Sequence, residues 1–248
     1  MVELSICVLH YNHWGLTKDC LASIDAQEIP CSYEKVLVDN GSTLRLQPET
    51  IPTGWRLVSY PDNWGHIKGQ NRCFESAQGE WVLFVANDVR LYYDCIKPMW
   101  LLRQNFGVLQ TGLDTPEGLT DNFGLQWRWP GYGLSYKHVV MRPDAFTSTL
   151  YLMTKRLWKY VGGFDESLQS SHEDIDFSLS LKQAREQAYC LPTIGARHLG
   201  NATLRHQSSH NRAAFHRDRV YVIRKHYVGI NRALRLAAVY LLDAIPRP

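Results

Sequence analysis

Apolar residues along this chain arrive in short unbroken runs separated by segments of helical spacing. Leu4 to Leu9, Lys35 to Val38 and Trp81 to Ala86 show almost no polar alternation, the pattern of strands buried on both faces of a parallel sheet. Trp55 to Tyr60 reads as a shorter strand. Leu16 to Ala26 places Leu16, Cys20, Leu21 and Ile24 at helical spacing, with Thr17 near its start. Arg72 to Gln78 is predicted as a helix entered from a polar, glycine-bearing loop, Asp62 to Asn71. Strand, helix and strand in this order predict an α/β fold: a mostly parallel central sheet flanked by helices, with a Rossmann-like first half.

The second half is less regular. Tyr92 to Phe106 is predicted as a helix, and Gly107 to Gly133, rich in Gly, Trp and Pro, as a long irregular segment ending in Trp127-Arg128-Trp129-Pro130-Gly131-Tyr132-Gly133. Phe146 to Thr154 reads as a strand and Lys155 to Val161 as a short helix. After Gly162-Gly163-Phe164-Asp165-Glu166, another helix opens over Ser170 to Asp176 and carries Phe177, Leu179 and Leu181 on to Ala184. From Phe215 to Ile245, basic residues are interleaved with Val220, Val222, Ile223, Ile230 and Leu234 in a last helical stretch.

With 248 residues, 45% of them hydrophobic, the chain can bury a sizeable core. It has no apolar run of membrane-spanning length, and Val2-Glu3-Leu4 opens straight into a strand without a signal-peptide pattern, so a cytoplasmic location is expected. The six cysteines, Cys7, Cys20, Cys31, Cys73, Cys95 and Cys190, form no C-x-x-C pair, which argues against a zinc knuckle or redox motif and for reduced, mostly buried thiols. A net charge of +3 hides an asymmetry. Residues 197–248 hold 10 Lys and Arg against 2 Asp and Glu, while the first 196 hold 17 against 22. Such a basic end can meet nucleic acid, anionic lipid or a phosphorylated substrate; no nucleic-acid reader motif accompanies it, so no nucleic acid is expected.

Candidate chemistry concentrates where strands end. Asp88 follows the run Trp81 to Ala86, at the carboxyl edge where open α/β sheets bind ligands, although Asn87-Asp88 is equally a good turn. Asp39-Asn40-Gly41-Ser42 offers a carboxylate to a base N–H or a ribose hydroxyl, or closes a turn with no ligand at all. Gly65 and Gly69 at a helix entrance let backbone N–H groups approach phosphate, with Lys68 adding charge. Glu173 and Asp174 sit where a capped helix start also favours acids. Trp129 belongs to aromatics that either stack on sugars or fill a core.

Four blocks in fixed order, SICVLHYNHWGLTKDCLASI, VLVDNGS, DNWGHIKGQNRCFESAQGEWVLFVANDVRL and GGFDESLQSSHEDIDFSLSL, resemble the inverting family 2 glycosyltransferases with the GT-A fold. Within them the chain looks most like the bacterial rhamnosyltransferase-type enzymes of surface polysaccharide synthesis. The resemblance implies one GT-A domain over residues 1–210, with a nucleotide-sugar half (1–91) and an acceptor half (92–210), then a basic helical extension (211–248). It implies that Asp39 holds the base of a dTDP- or UDP-sugar, with Tyr11, Asn12, Asn63, Gly65, Gly69, Asn71 and Asn87 around the rest of the donor. The family's D-x-D falls on Ala86-Asn87-Asp88, so the first carboxylate is missing and Asp88 keeps the position that binds Mg²⁺ or Mn²⁺. His198, in the segment Arg197 to Thr203, is implied to reach that metal or the diphosphate. Asp174 is implied as the base that deprotonates an acceptor hydroxyl, with Glu173, Asp176, Gly163 and Trp129 on the acceptor or transferred sugar. The acceptor is implied to be a glycan or lipid-linked saccharide, and the basic tail is expected to touch an anionic membrane. A catalytically silent module that binds sugar or nucleotide is the alternative.

Overall fold

The computed structural model describes residues 1–200 and 210–244. The last residues of the segment Arg197 to Thr203, and Ile245 at the end of the basic stretch, lie outside the described residues. The elements run β1 (Leu4–His10), α1 (Trp14–Asp25), β2 (Tyr33–Asn40), β3 (Trp55–Tyr60), α2 (Gly65–Ser76), β4 (Trp81–Ala86), β5 (Val89–Leu91), α3 (Ile96–Leu102), β6 (Val108–Asp114), β7 (Thr120–Asn122), β8 (Leu125–Arg128), β9 (Tyr132–Ser135), β10 (Leu150–Thr154), α4 (Lys155–Val161), α5 (Glu173–Gln183), β11 (Ala188–His198), α6 (His210–His226) and α7 (Gly229–Ala244). One sheet has the order β3-β2-β1-β4-β10-β6-β11-β5, with β7 beside β6, while β8 and β9 form a separate hairpin. β3, β2, β1 and β4 are mutually parallel, as are β6 and β11. β10 runs antiparallel between β4 and β6 and joins the two halves.

The unbroken apolar runs behave as their pattern requires. β1 is buried along its whole length, and β4 along its middle. One apolar cluster, with Ile6, Leu21 and Leu83, and a second, with Val38, Phe74 and Phe84, build the core on this sheet. α2 begins at Gly65, not at Arg72, so most of the expected glycine loop is helix. Gly69 explains the close fit: a Cβ there would come within 2.7 Å of Leu9, and its absence lets α2 lie down on β1. The expected helix from Tyr92 is shorter, because Tyr92 N–H donates to Gly195 O at 2.8 Å and extends the β5–β11 pairing first.

The segment expected to be irregular is instead β6 to β9. β6 reads Val-Leu-Gln-Thr-Gly-Leu-Asp, and its polar residues disguise a fully buried strand. Gln110 Oε1 accepts from Thr147 N–H at 2.8 Å and Thr111 Oγ1 donates to Thr193 O at 2.8 Å, so the amide oxygen and the hydroxyl both find partners inside. The strand near Phe146 starts later, at Leu150.

Within the basic stretch, α6 packs into the body. Val222 and Ile223 are fully buried. Asp218 Oδ2 accepts from the N–H groups of Gln169, Ser170 and Ser171 at 3.1, 2.8 and 3.1 Å. Asp176, expected on the acceptor, is turned to α6 and held by Lys225 Nζ at 2.8 Å and His226 Nε2 at 2.7 Å. Asp165 is bound by Tyr221 OH and Lys225 Nζ, both at 2.8 Å; burial alone would raise its carboxyl, but these partners bring it down to about 2. Asp176→Ala strips the buried His226 ring and the partly exposed Lys225 of their shared anion, and we expect it to lower the unfolding free energy by about 3 kcal/mol in urea titrations. A loss below about 0.5 kcal/mol would contradict this view of α6.

Candidate active site

At the carboxyl edge of the parallel strands, β2 ends near Asp39 and β4 runs into Asn87 and Asp88. β10 starts at this same edge because it runs the other way, and Ala86 N–H donates to Thr149 O at 2.9 Å. A cleft of about 570 Å³ opens at the joint, lined by Asn87, Asp88 and His198 together with Ser148, Glu173 and Asp174. A wider groove of about 1100 Å³ elsewhere, lined by Trp81, Arg103, Gly107 and Tyr160 among others, contains none of the candidate site residues.

Two strands along from β4, Asp39 is buried, and its Oδ1 accepts from Ser42 N–H at 3.1 Å and Ser42 Oγ at 2.6 Å. Its Oδ2 is buried without a partner among the described residues. Such an oxygen is costly unless a donor arrives, so it is a ready acceptor for a ligand N–H. Asn12 ties the loop after β1, which also carries the half-buried Tyr11, to this turn: its N–H donates to Ser42 Oγ at 2.8 Å and its Oδ1 accepts from Thr43 N–H at 3.0 Å. Asn63 Oδ1 accepts from Asn40 Nδ2 at 3.1 Å and Gly65 N–H at 2.9 Å. The two turns touch at Gly41, where φ is +73° and a Cβ would lie 2.2 Å from the Asp62 carbonyl carbon. Asn87 Nδ2 donates to Thr17 Oγ1 at 3.0 Å, which holds the start of the Asp88 turn to α1.

Asp88 and His198 are brought together. β5 pairs with the end of β11, His198 opposite Val89, and Leu199 N–H donates to Asp88 O at 2.9 Å. His198 Nε2 then lies 3.4 Å from Asp88 Oδ2, and Nδ1 lies 2.9 Å from Asp121 Oδ2. Burial alone would lower the imidazole; hydrogen bonds and charge from Asp121 and Asp88 outweigh it and lift the ring to about 9. Among the described residues no group of three His, Cys, Asp or Glu side chains forms a metal cage.

Opposite chemistry gathers at the start of α5. Glu173 Oε1 accepts from Ser148 Oγ at 2.5 Å and stands 3.6 Å from His66 Nε2. Asp174 Oδ1 accepts from Ile175 N–H at 2.8 Å. Burial, and next the charge of Glu173, raise the Asp174 carboxyl well above the usual carboxylate range, and the backbone N–H groups at the helix start only partly offset this. His172, before the helix, has a left-handed backbone with φ 68°, and its Nδ1 lies 2.7 Å from Ser171 Oγ. Burial and the charge of Arg219 push this ring down to about 4, so it is neutral around pH 7.

Three more expected residues make contacts within the fold, and a fourth is exposed. Gly69 is the packing point of α2 on β1. Asn71 spends its amide on the next loop: Oδ1 accepts from Phe164 N–H at 2.9 Å, and Nδ2 donates to Phe164 O and Glu166 Oε1, both at 2.9 Å. Gly163 follows the left-handed Gly162 that ends α4, and its N–H donates to Trp158 O at 2.8 Å. Trp129 stands exposed at the tip of the β8–β9 hairpin, away from the cleft lining. The site residues missed from sequence are Asp121, His66, Ser148 and His172. Only His172, adjacent to Glu173, carried any local signal.

The chain matches the family model described as Glycosyl transferase family 2 over residues 5–158. It is 26% identical over 219 residues to the O-antigen biosynthesis protein RfbC of Myxococcus xanthus, covering 76% of this chain and 16% of that protein. Among solved structures, S. aureus TarS has a TM-score of 0.67 at 18% identity, covering 96% of this chain and 43% of TarS. GalNAc-T7, solved with UDP, GalNAc and Mn²⁺, has a TM-score of 0.68 at 13% identity, covering 82% of this chain and 44% of that one. The chain thus spans about one sixth of its curated relative and under half of these two structures. They share its GT-A architecture, and on the match of residues 5–158 the chain belongs to glycosyl transferase family 2.

Proposed function

We propose that the chain is an inverting glycosyltransferase that moves a hexose, rhamnose among the candidates, from a nucleoside diphosphate to a hydroxyl of a glycan or lipid-linked saccharide in surface polysaccharide synthesis. The observation that carries this reading is that Asp88 and Asp174 line one cleft. The unpartnered Asp39 Oδ2 supports a pyrimidine base. Uracil and thymine share the imide N–H that would satisfy it, so UDP- and dTDP-sugars both fit. Tyr11, Asn12, Asn63, Gly65 and Asn87 would frame the donor.

Asp88 and His198 would hold Mg²⁺ or Mn²⁺; an oxygen and an imidazole nitrogen suit Mn²⁺ well, and two protein donors leave positions for phosphate oxygens and water. When bound, the ion neutralises charge on the departing diphosphate. Asp174 takes the proton of the acceptor hydroxyl. That oxygen bonds to the anomeric carbon as the bond from this carbon to the phosphate oxygen breaks, and the electron pair leaves with the nucleoside diphosphate. A single displacement from the face opposite the leaving group inverts the anomeric centre. Glu173, fixed by Ser148, keeps Asp174 a strong enough base near neutral pH and orients the acceptor.

Among the described residues no helix is long and apolar enough to cross a membrane. α7 supports a contact at the cytoplasmic membrane face. Ile230, Leu234 and Leu241 lie along one side of it, 79%, 56% and 70% exposed, with Arg232 exposed nearby.

Asp88→Ala and Asp174→Asn should each lower kcat at least about 100-fold with the fold retained, as loss of a positioned base or metal ligand does. Activity within twofold of wild type would contradict the assigned role, and a wild-type chain inert against a broad donor and acceptor panel would favour the silent module. Asp174 must be deprotonated to work, so the rate should fall as pH drops through its raised pKa. Glu173→Gln removes a neighbouring charge, lowers that pKa and should shift the acid limb to lower pH; an unmoved limb would contradict the coupling. A triple Ile230→Glu, Leu234→Glu, Leu241→Glu variant should lose co-sedimentation with anionic vesicles, and undiminished binding would remove the membrane contact.

A further inference from the structure

What stands behind His198 is a short hairpin. β6 turns back into β7 through Thr115 to Leu119, where Thr115 N–H donates to Leu119 O at 2.8 Å and Gly118 takes φ +77°. The hairpin presents two carboxylates to two consecutive residues at the end of β11. Asp114 lies 3.3 Å from both Arg197 Nε and a terminal guanidinium nitrogen, and accepts from Tyr92 OH at 2.6 Å. Asp121 Oδ2 lies 2.9 Å from His198 Nδ1. Its other neighbours are donors too, the Lys137 ammonium at 3.4 Å and Asn122 Nδ2 at 3.3 Å. The two side chains that meet are only 20% and 22% exposed, so water competes poorly for this bond.

An ionised carboxylate only accepts, so the ring nitrogen facing Asp121 carries the hydrogen. In the neutral ring, the form that ligates a cation, the hydrogen stays at the closer contact, 2.9 Å on the Asp121 side against 3.4 Å on the Asp88 side, and the lone pair is on Nε2. We propose that Asp121 is a positioning residue for the divalent cation: it fixes the tautomer and ring plane of His198, so that Nε2 and Asp88 form one donor pair. This is the arrangement in which an outer carboxylate orients a metal-ligating histidine, and it rests on reading Asp88 and His198 as the cation ligands. Asp114 does a different job one strand position away, holding the Arg197 and Tyr92 side chains, so the hairpin supplies an internal control.

The test is calorimetric titration of Mn²⁺ into the full chain saturated with UDP, for wild type and for Asp121→Asn, Asp114→Asn and Asp88→Ala. Asp121→Asn should weaken Mn²⁺ binding about 10- to 100-fold, the usual effect of losing such a carboxylate, while Asp114→Asn stays within about threefold. On the wild-type chain with Mg²⁺ and UDP, ¹⁵N NMR of His198 should report hydrogen on Nδ1. A hydrogen on Nε2, or Mn²⁺ affinity within twofold of wild type in Asp121→Asn, overturns the proposal. If Asp88→Ala loses Mn²⁺ while Asp121→Asn keeps it, the cation site stands and the role of Asp121 falls. Retention of Mn²⁺ by Asp88→Ala would remove the cation site itself.

Discussion

The site depends on one antiparallel pairing. β10 runs against β4, with Leu150 opposite Val85, so the outgoing end of one strand and the incoming end of the other share an edge. Had the second half joined the sheet by another parallel strand, Ser148 would sit at the far edge from Asp88. Because it does not, Ala86 bonds to Thr149, Ser148 Oγ reaches Glu173, and the start of α5 is drawn to the mouth of the Asp88 turn. The Asp39 and Asp88 turns on the parallel strands thereby gain an acid pair contributed by the other half of the chain.

Placing acids there has a cost that α6 offsets. The loop from Asp165 to Ser171 and the helix behind it carry carboxylates and unpaired N–H groups that would be expensive to bury alone. Asp218 takes three of those N–H groups, and Lys225 and His226 take Asp176. Asp174 is left facing the cleft with only backbone donors and the charge of Glu173 nearby, which is why its carboxyl holds a proton more tightly than an exposed one. The same elements that keep the helix start in place leave this acid without a cationic partner among the described residues.

Much of the first half was legible because burial on both faces writes itself as unbroken apolar runs, seen in β1 and β4. The acids at strand and helix ends, Asp39, Asp88 and Asp174, were legible through their order and the family resemblance. β6 was not, because the Gln110 amide oxygen and the Thr111 hydroxyl find their partners in distant chain, so both residues look like loop residues in sequence. Gly69, Asn71, Gly163 and Asp176 were expected near a ligand, and the structure shows the contacts they make within the chain: a glycine at a helix contact, or a polar side chain bonded to a neighbouring loop, has the same letter as one facing a ligand. Asp121 was invisible, since its partner lies 77 residues away and only the β6–β7 turn brings them together.

The most direct measurement is the anomalous scattering of Mn²⁺ in crystals grown with UDP. This account predicts an anomalous peak in the cleft beside Asp88 and His198, with the diphosphate on it and the Asp174 carboxyl across the same cavity. A peak elsewhere, for instance in the wide groove near Arg103, or a diphosphate bound out of reach of Asp174, would contradict it.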